Sequence, residues 1–239
     1  MCGRVSSTSP AVNIAEFFMA LTLSDTLAPR YNITPSQPML VVRDDRDRNK
    51  RTLSYVLWGL IPSWAKDPNI ASKLSNARAE TIHEKPSFRN AYRYRRCIIP
   101  IDGFYEWKRS GKTKQPWYFK YEDDAILAFA GLWEHWMGPN GEEMESCTII
   151  TCAANDTMSP IHHRMPVILR KEDFDLWLDP SVYDQKLLSQ LLVPSQDPRL
   201  TCYPVSTYVN YSANDGPQCL EPLPEKRSEN DGNGQLELF

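Results

Sequence analysis

The stretch that decides the fold is RCIIPIDGFYEWKRSGKTKQPWYFKYEDDAILAFAGLWEHWMGPNGEEMESCTIITC, Arg96 to Cys152. Apolar, β-branched and aromatic runs (CIIPI, GFYEWK, PWYFKY, ILAFAGLWEHW, CTIITC) alternate with GKTKQ, EDDA and GPNGEE, which have the composition of turns. The pattern predicts consecutive strands joined by hairpins. Outward from it, Met39–Arg43, Leu53–Trp58, MPVIL and Leu200–Val205 also read as strands. Ala11–Leu23 spaces Ile14, Phe17, Phe18 and Leu21 as one helical face behind Ser9 and Pro10, and Ser87–Tyr94, Glu172–Leu178 and Tyr183–Leu192 read as short helices. The interval Gly59–Glu80 reads as a long irregular segment, of the kind that often carries function. The fold class expected is α+β, with mostly antiparallel strands and no βαβ repeat.

The chain has 239 residues, 41% apolar and 24% charged, ordinary values for a globular protein. No apolar run approaches the roughly 18 residues of a membrane span, and no secretory signal is visible at MCGRVSSTSP. The six cysteines and four histidines form no zinc-type spacing, so no metal is expected, and reduced thiols in the cytosol suit the chain better than disulfides. Two parts are expected: a domain over 1–220 and a disordered acidic tail, EPLPEKRSENDGNGQLELF, over 221–239. The tail carries the net charge of -3 and leaves the body neutral. Within that body, Arg78–Lys120 holds eleven bases against Glu80, Glu84, Asp102 and Glu106. Such a segment suits a polyanion-binding face, and equally a solvated surface balanced elsewhere in the fold.

Cys2 is the chemically unusual residue. If Met1 is removed, the chain begins with a free amine and a thiol on adjacent carbons. A 1,2-aminothiol condenses with an aldehyde to an imine and then closes to a thiazolidine. The amine has a reference pKa of about 7.7–8.0, and a terminal thiol is readily tuned toward thiolate. Taken alone, Cys2 is equally the residue that happens to follow Met in a frayed terminus.

Six segments in order change that balance: MCGR (1–4), RYNITP (30–35), WGLIPSWA (58–65), NARAE (76–80), RCIIPIDGFYEWK (96–108) and IHHRMPVIL (161–169). Together they resemble the SRAP family, the SOS-response-associated peptidase-like proteins, from Met1 to about Val205. The resemblance implies a single domain around a curved, barrel-like sheet with peripheral helices. It also implies shielding of abasic sites in single-stranded DNA, with Cys2 forming a thiazolidine to the ring-opened sugar aldehyde. By the same resemblance Asn76 holds the Cys2 terminus, Glu106 moves protons to and from it, and His162 acts as acid or base on the sugar. His162, rather than the adjoining His163, is two residues before Arg164, as the family pattern requires. Thr151 lines the pocket, or is simply a strand residue. Arg4, Arg78 and Arg164 are the expected phosphate clamps. Trp64 and Pro35 stack on or wedge against bases, and Asn32 contacts DNA or braces the terminus. The interval from Trp64 to Asn76 is long for the family.

The closing QLELF resembles the pentapeptide with which bacterial polymerases and repair proteins dock on the sliding clamp, with Gln235, Leu236, Leu238 and Phe239 making the contacts. The expected protein is a cofactor-free cytoplasmic, nucleoid-associated monomer. It crosslinks to DNA in a single turnover, with AP-lyase activity as an accompanying chemistry. Two other readings stay open: a cysteine peptidase built on Cys2, including self-removal of Met1, and a non-covalent reader of modified bases.

Overall fold

The computed structural model describes residues 2–21, 28–45 and 50–224. Thirteen strands are present among the described residues. In chain order they are β1 (Val5–Ser7), β2 (Ala20–Leu21), β3 (Arg30–Ile33), β4 (Pro38–Asp45), β5 (Lys50–Trp58), β6 (Asn76–Arg78), β7 (Arg96–Ile101), β8 (Gly103–Ser110), β9 (Thr113–Tyr121), β10 (Leu127–Met137), β11 (Glu143–Ala153), β12 (Arg164–Pro166) and β13 (Leu200–Pro204). The helices α1 (Ala11–Phe18), α2 (Arg89–Tyr94), α3 (Phe174–Leu178) and α4 (Gln185–Ser189) are short and peripheral.

The decisive stretch forms the five strands β7 to β11; β8–β9 and β10–β11 are hairpins, whereas β7 pairs with β10 around the β8–β9 hairpin, which belongs to a second sheet. Antiparallel pairing runs β5-β4-β7-β10-β11. A parallel pairing of Cys147 with Trp58 joins β11 back to β5 and closes a five-stranded barrel. Closure leaves those strands no free edge, and residues on both of their faces (Trp58, Ile98, Leu132, Cys147 and Ile149 among them) are essentially inaccessible. A second sheet, ordered β13-β9-β8-β1-β3, packs beside the barrel. Phe104 joins the two: its ring stacks on Phe119 at 4.9 Å and meets Phe129 of the barrel edge-on at 5.5 Å.

Three sequence expectations are adjusted. The helix expected to reach Leu23 stops at Phe18, because Met19 turns left-handed (φ 52°) and Arg51 captures the Phe18 carbonyl (2.9 Å). The chain then pairs with β5 as β2. The interval 59–80 is structured: a 3₁₀ helix spans Pro68–Lys73, capped by Asp67, and β6 pairs in parallel with β11. At the other end, Leu223 N donates to Pro204 O (2.9 Å), so the described start of the expected tail lies against β13. The QLELF segment and Met1 lie outside the described residues. No helix among the described residues is long and apolar enough to cross a membrane.

Gly103 shows how closely β1 is fitted. It pairs with Ser6, and a Cβ on it would sit 2.2 Å from the Tyr118 ring, whose hydroxyl bonds Ser6 Oγ at 2.8 Å. Gly103→Ala should therefore cost about 1–3 kcal/mol in urea unfolding. The cost should shrink in a Tyr118→Ala background, where the obstructing ring is gone.

Candidate active site

Chain termini usually fray, but this one is built into a sheet. Val5 pairs with Phe104, and Tyr105 N donates to Arg4 O (3.0 Å), so the first residues run along β8 toward Glu106. Cys2 is 1% exposed. Asn76 Nδ2 donates to the Cys2 carbonyl at 2.7 Å, while its Oδ1 is buried and accepts no hydrogen bond. Asn76 reaches this point because β6 pairs Ala77 with Ile150 of the barrel.

Glu106, 4% exposed, lies close enough for its charge to act on the Cys2 thiol. His162 enters from the loop before β12. Its Nδ1 lies 3.9 Å from Glu106 Oε1 and accepts from Arg164 N (3.1 Å). That separation suits a bridging water or substrate atom better than a direct bond. The His163 ring lies 4.5 Å from that of His162, but its side chain is exposed, and the charge of His162 lowers its pKa.

The thiol does not behave as the sequence suggests. Burial raises its pKa well above the usual thiol range, and the negative charge of Glu106 raises it further. A hydrogen bond from the Arg4 backbone N–H offsets only part of this. With Met1 attached, Cys2 is thus a protonated thiol at neutral pH, not a poised thiolate, and needs a base to react.

A groove opens over this cluster, lined by Arg4, Glu106, Trp107, Lys108, Arg109, Lys114 and His162 among others. Four cations face it, three of them from the β8–β9 hairpin. Trp107 and these hairpin cations were not singled out from sequence, although the basic surplus of 78–120 pointed to them. Arg4 stacks over Trp107 at 5.6 Å and donates to Asn32 Oδ1 (2.7 Å). Asn32 is wholly buried and donates to the carbonyls of Val209, Tyr211 and Asn214. Of the two roles expected for it, its geometry fits bracing, here of the 209–214 loop, rather than facing DNA.

Thr151 and Arg78 pair across β11 and β6. Thr151 is fully buried and donates to Ala77 O (3.3 Å), a strand residue beneath the site more than a pocket wall. Arg78 is exposed. Arg164 is held by a bidentate pair with Glu80 (2.6 and 3.0 Å), and this bond lowers the Glu80 pKa. A phosphate on Arg164 must therefore displace or share with that carboxylate. Trp64 is 58% exposed and lines a second groove, beside α2. Pro35 is half-buried in the turn that follows β3. Among the described residues no cluster of His, Cys, Asp and Glu is arranged to hold a metal.

The family model described as SOS response associated peptidase (SRAP) matches residues 1–212. The chain is 44% identical over 224 residues to abasic site processing protein YoqW of Bacillus subtilis, covering 92% of this chain and 99% of YoqW. It is 35% identical over 229 residues to abasic site processing protein HMCES of Xenopus tropicalis, covering 84% and 68%. A crystal structure of a protein from Bacteroides thetaiotaomicron superposes with a TM-score of 0.84 at 28% identity, covering 93% of this chain and all of that one.

Two titrations test the electrostatics. Glu106→Gln removes a charge that raises the thiol pKa, so Cys2 in that variant should alkylate at lower pH, read by mass spectrometry of the N-terminal peptide. The Glu80–Arg164 pair should stabilise the fold above the unfolded Glu pKa of about 4.3 and lose that contribution as pH falls through the lowered folded value. Glu80 is half-exposed, so the effect should stay within about 1 kcal/mol. Glu80→Gln should abolish it in acid unfolding curves.

Proposed function

The chain belongs to the SRAP family, and on that premise we propose that it captures abasic sites in single-stranded DNA through a covalent bond to Cys2. Hydrolysis of the Met1–Cys2 peptide bond frees the amine. The amine adds to the aldehyde carbon of the ring-opened deoxyribose, and water leaves to give an imine. The sulfur then attacks the same carbon, the thiol proton passes to nitrogen, and a five-membered thiazolidine closes. One water is released per adduct formed from the processed protein and the lesion.

The observation that carries this reading is the Cys2 backbone held by Asn76, its buried thiol within reach of the Glu106 charge, and His162 3.9 Å from that carboxylate under a cation-lined groove. Each residue has a matching task. Glu106 takes the proton of a thiol too weakly acidic to ionise alone. His162 protonates the sugar ring oxygen for opening and the carbinolamine for water loss. The open acceptor on Asn76 can receive the freed amine. Arg4, Arg78 and Arg164 hold the flanking phosphates, Trp64 and Pro35 meet the neighbouring bases, and Thr151 supports the floor between β6 and β12. The imine also acidifies the adjacent sugar proton, which gives β-elimination, and hence AP-lyase activity, as a side path. The same trio of Cys2, His162 and Glu106 accounts for self-removal of Met1 as a peptidase step. Gln235, Leu236, Leu238 and Phe239 are assigned to docking on a sliding clamp, which would raise the local concentration of the protein at exposed single strands. Its place of action is then the cytoplasm, at the nucleoid, as a monomer.

The test is incubation with an abasic oligonucleotide followed by denaturing electrophoresis and intact mass. Wild type should lack Met1 and give a denaturation-resistant adduct one water lighter than the sum of its parts. Cys2→Ser should give no such adduct. Glu106→Gln and His162→Ala should each slow adduct formation by about 10²-fold or more. Capture should fall at both pH extremes, because attack needs a neutral amine and water loss needs an acid. Sustained turnover of an unrelated peptide would favour a general peptidase instead. Equal retention of DNA by a Cys2→Ala variant after denaturation would favour a non-covalent reader.

A further inference from the structure

A groove of about 780 Å³ lies at the start of β13 and shares no lining residue with the groove over Cys2. Its wall is apolar: Phe17, Ile126, Ile168, Phe174, Leu191 and Val193 line it, and Val193 is 52% exposed. The cations on its rim are already engaged. Arg170 pairs with Asp173 (2.9 Å) and Arg199 with Asp197 (2.6 Å), while Lys171 lies over the Phe17 ring at 5.5 Å. Such a groove suits an apolar occupant better than an anion, and apolar surface open to solvent on this scale calls for one.

The edge of β13 leads to this groove. β13 is the end strand of its sheet, and it runs from Leu200, next to Arg199 on the groove rim, to Pro204. Backbone groups along such a strand alternate in direction. Val205 N donates to Pro116 O of β9 (3.0 Å), so Val205, Tyr203 and Thr201 turn toward β9. Pro204 and Cys202 therefore turn toward the outer edge. The chain begins to cover that edge: Val205 bridges Pro222 in antiparallel fashion, and Leu223 N donates to Pro204 O (2.9 Å). In this register the odd-numbered residues from Leu223 onward aim their N–H groups at β13. The even-numbered ones aim theirs away, and both Pro222 and Pro224 occupy that phase, where proline forfeits no bond to β13. Continued, the same register sets Glu225 opposite Cys202 and Arg227 opposite Leu200, and it points the chain at the groove.

We propose that residues 225–227 continue this strand along β13 and that QLELF (235–239) docks in the groove at its far end, with Leu236, Leu238 and Phe239 against the apolar wall. Residues 225–239 lie outside the described residues, and direction, reach and chemistry identify them as the occupant. The seven residues 228–234 between strand and motif span up to about 23 Å, and the groove rim begins one residue from Leu200. QLELF holds the only large apolar side chains after Leu223, and in an extended segment Leu236 and Leu238 share a face. Attachment to the same chain supplies a millimolar effective concentration, so contacts too weak to hold a free peptide suffice. The inference does not rest on DNA capture. It engages the side chains assigned above to a sliding clamp, so one partner excludes the other and a clamp must first empty the groove.

The test is hydrogen–deuterium exchange of the full chain, read by mass spectrometry at low and high protein concentration. Trypsin cleavage after Lys226 and Arg227 is a second readout. Leu238→Ala/Phe239→Ala leaves the body of the protein untouched, and Val193→Asp places a charge in the groove. Each should speed exchange over 190–199 about tenfold relative to wild type, and speed the tryptic cut by a similar factor. Combining them should add little, because both break the same contact. Residues 143–153 of the barrel should exchange alike in all variants, and the protection should not depend on protein concentration. A wild type indistinguishable from Leu238→Ala/Phe239→Ala would overturn the assignment. So would additive effects of the two sets of substitutions, or an effect of Val193→Asp alone. Protection that grows with concentration would put the segment of a second copy in the groove and overturn docking within one chain. No readout involves DNA or a clamp, so failure of those readings leaves this one standing.

Discussion

The site depends on one constraint: the first residues of the chain are a strand, not a loose end. Two backbone attachments impose it. One is the antiparallel pairing of β1 with β8, and the other is the bond from Asn76 to the Cys2 carbonyl. A terminus free to fray would lose about 1–2 kcal/mol of backbone entropy per residue on meeting a substrate. Here that cost is met during folding, by the same hydrogen bonds and apolar contacts that build the second sheet. The burial that fixes the thiol also keeps it protonated, so order and latency arise together.

Most of the architecture was legible because it follows from local periodicity. The stretch from Arg96 to Cys152 announces its strands through alternating apolar residues and its turns through Gly, Pro and Asp, although not that β8 and β9 leave the barrel for the second sheet. What escaped was non-local. Nothing in NARAE says that Asn76–Arg78 will pair in parallel with β11, because a three-residue strand has no periodicity to read. The end of α1 was misjudged for the same reason: Leu21 continues the helical spacing, but Arg51, thirty residues on, claims the carbonyl where the helix stops. The barrel closure by Cys147 and Trp58 is likewise a pairing between segments far apart in sequence.

The candidate site divides along the same line. The chemistry of its side chain pointed to Cys2 and the family resemblance to Glu106 and His162, and their convergence is geometric. Charge counting identified a basic segment without resolving it into the hairpin of Lys108, Arg109 and Lys114. The state of the thiol could not be read from residue type, because desolvation depends on the packed neighbours. Asn32, expected either at the DNA or bracing the terminus, is an internal amide bonded to Arg4 and to the 209–214 loop.

The bonds of Asn32 and Arg4 to the 209–214 loop bear on how the protein is made. Neither side chain has its carbonyl partners until those residues have emerged from the ribosome, so the surroundings of Cys2 cannot form before residues 209–214 have been made. A nascent chain therefore carries the cysteine without its pocket, and competence for the chemistry proposed at Cys2 arrives only once residues 209–214 have joined the fold.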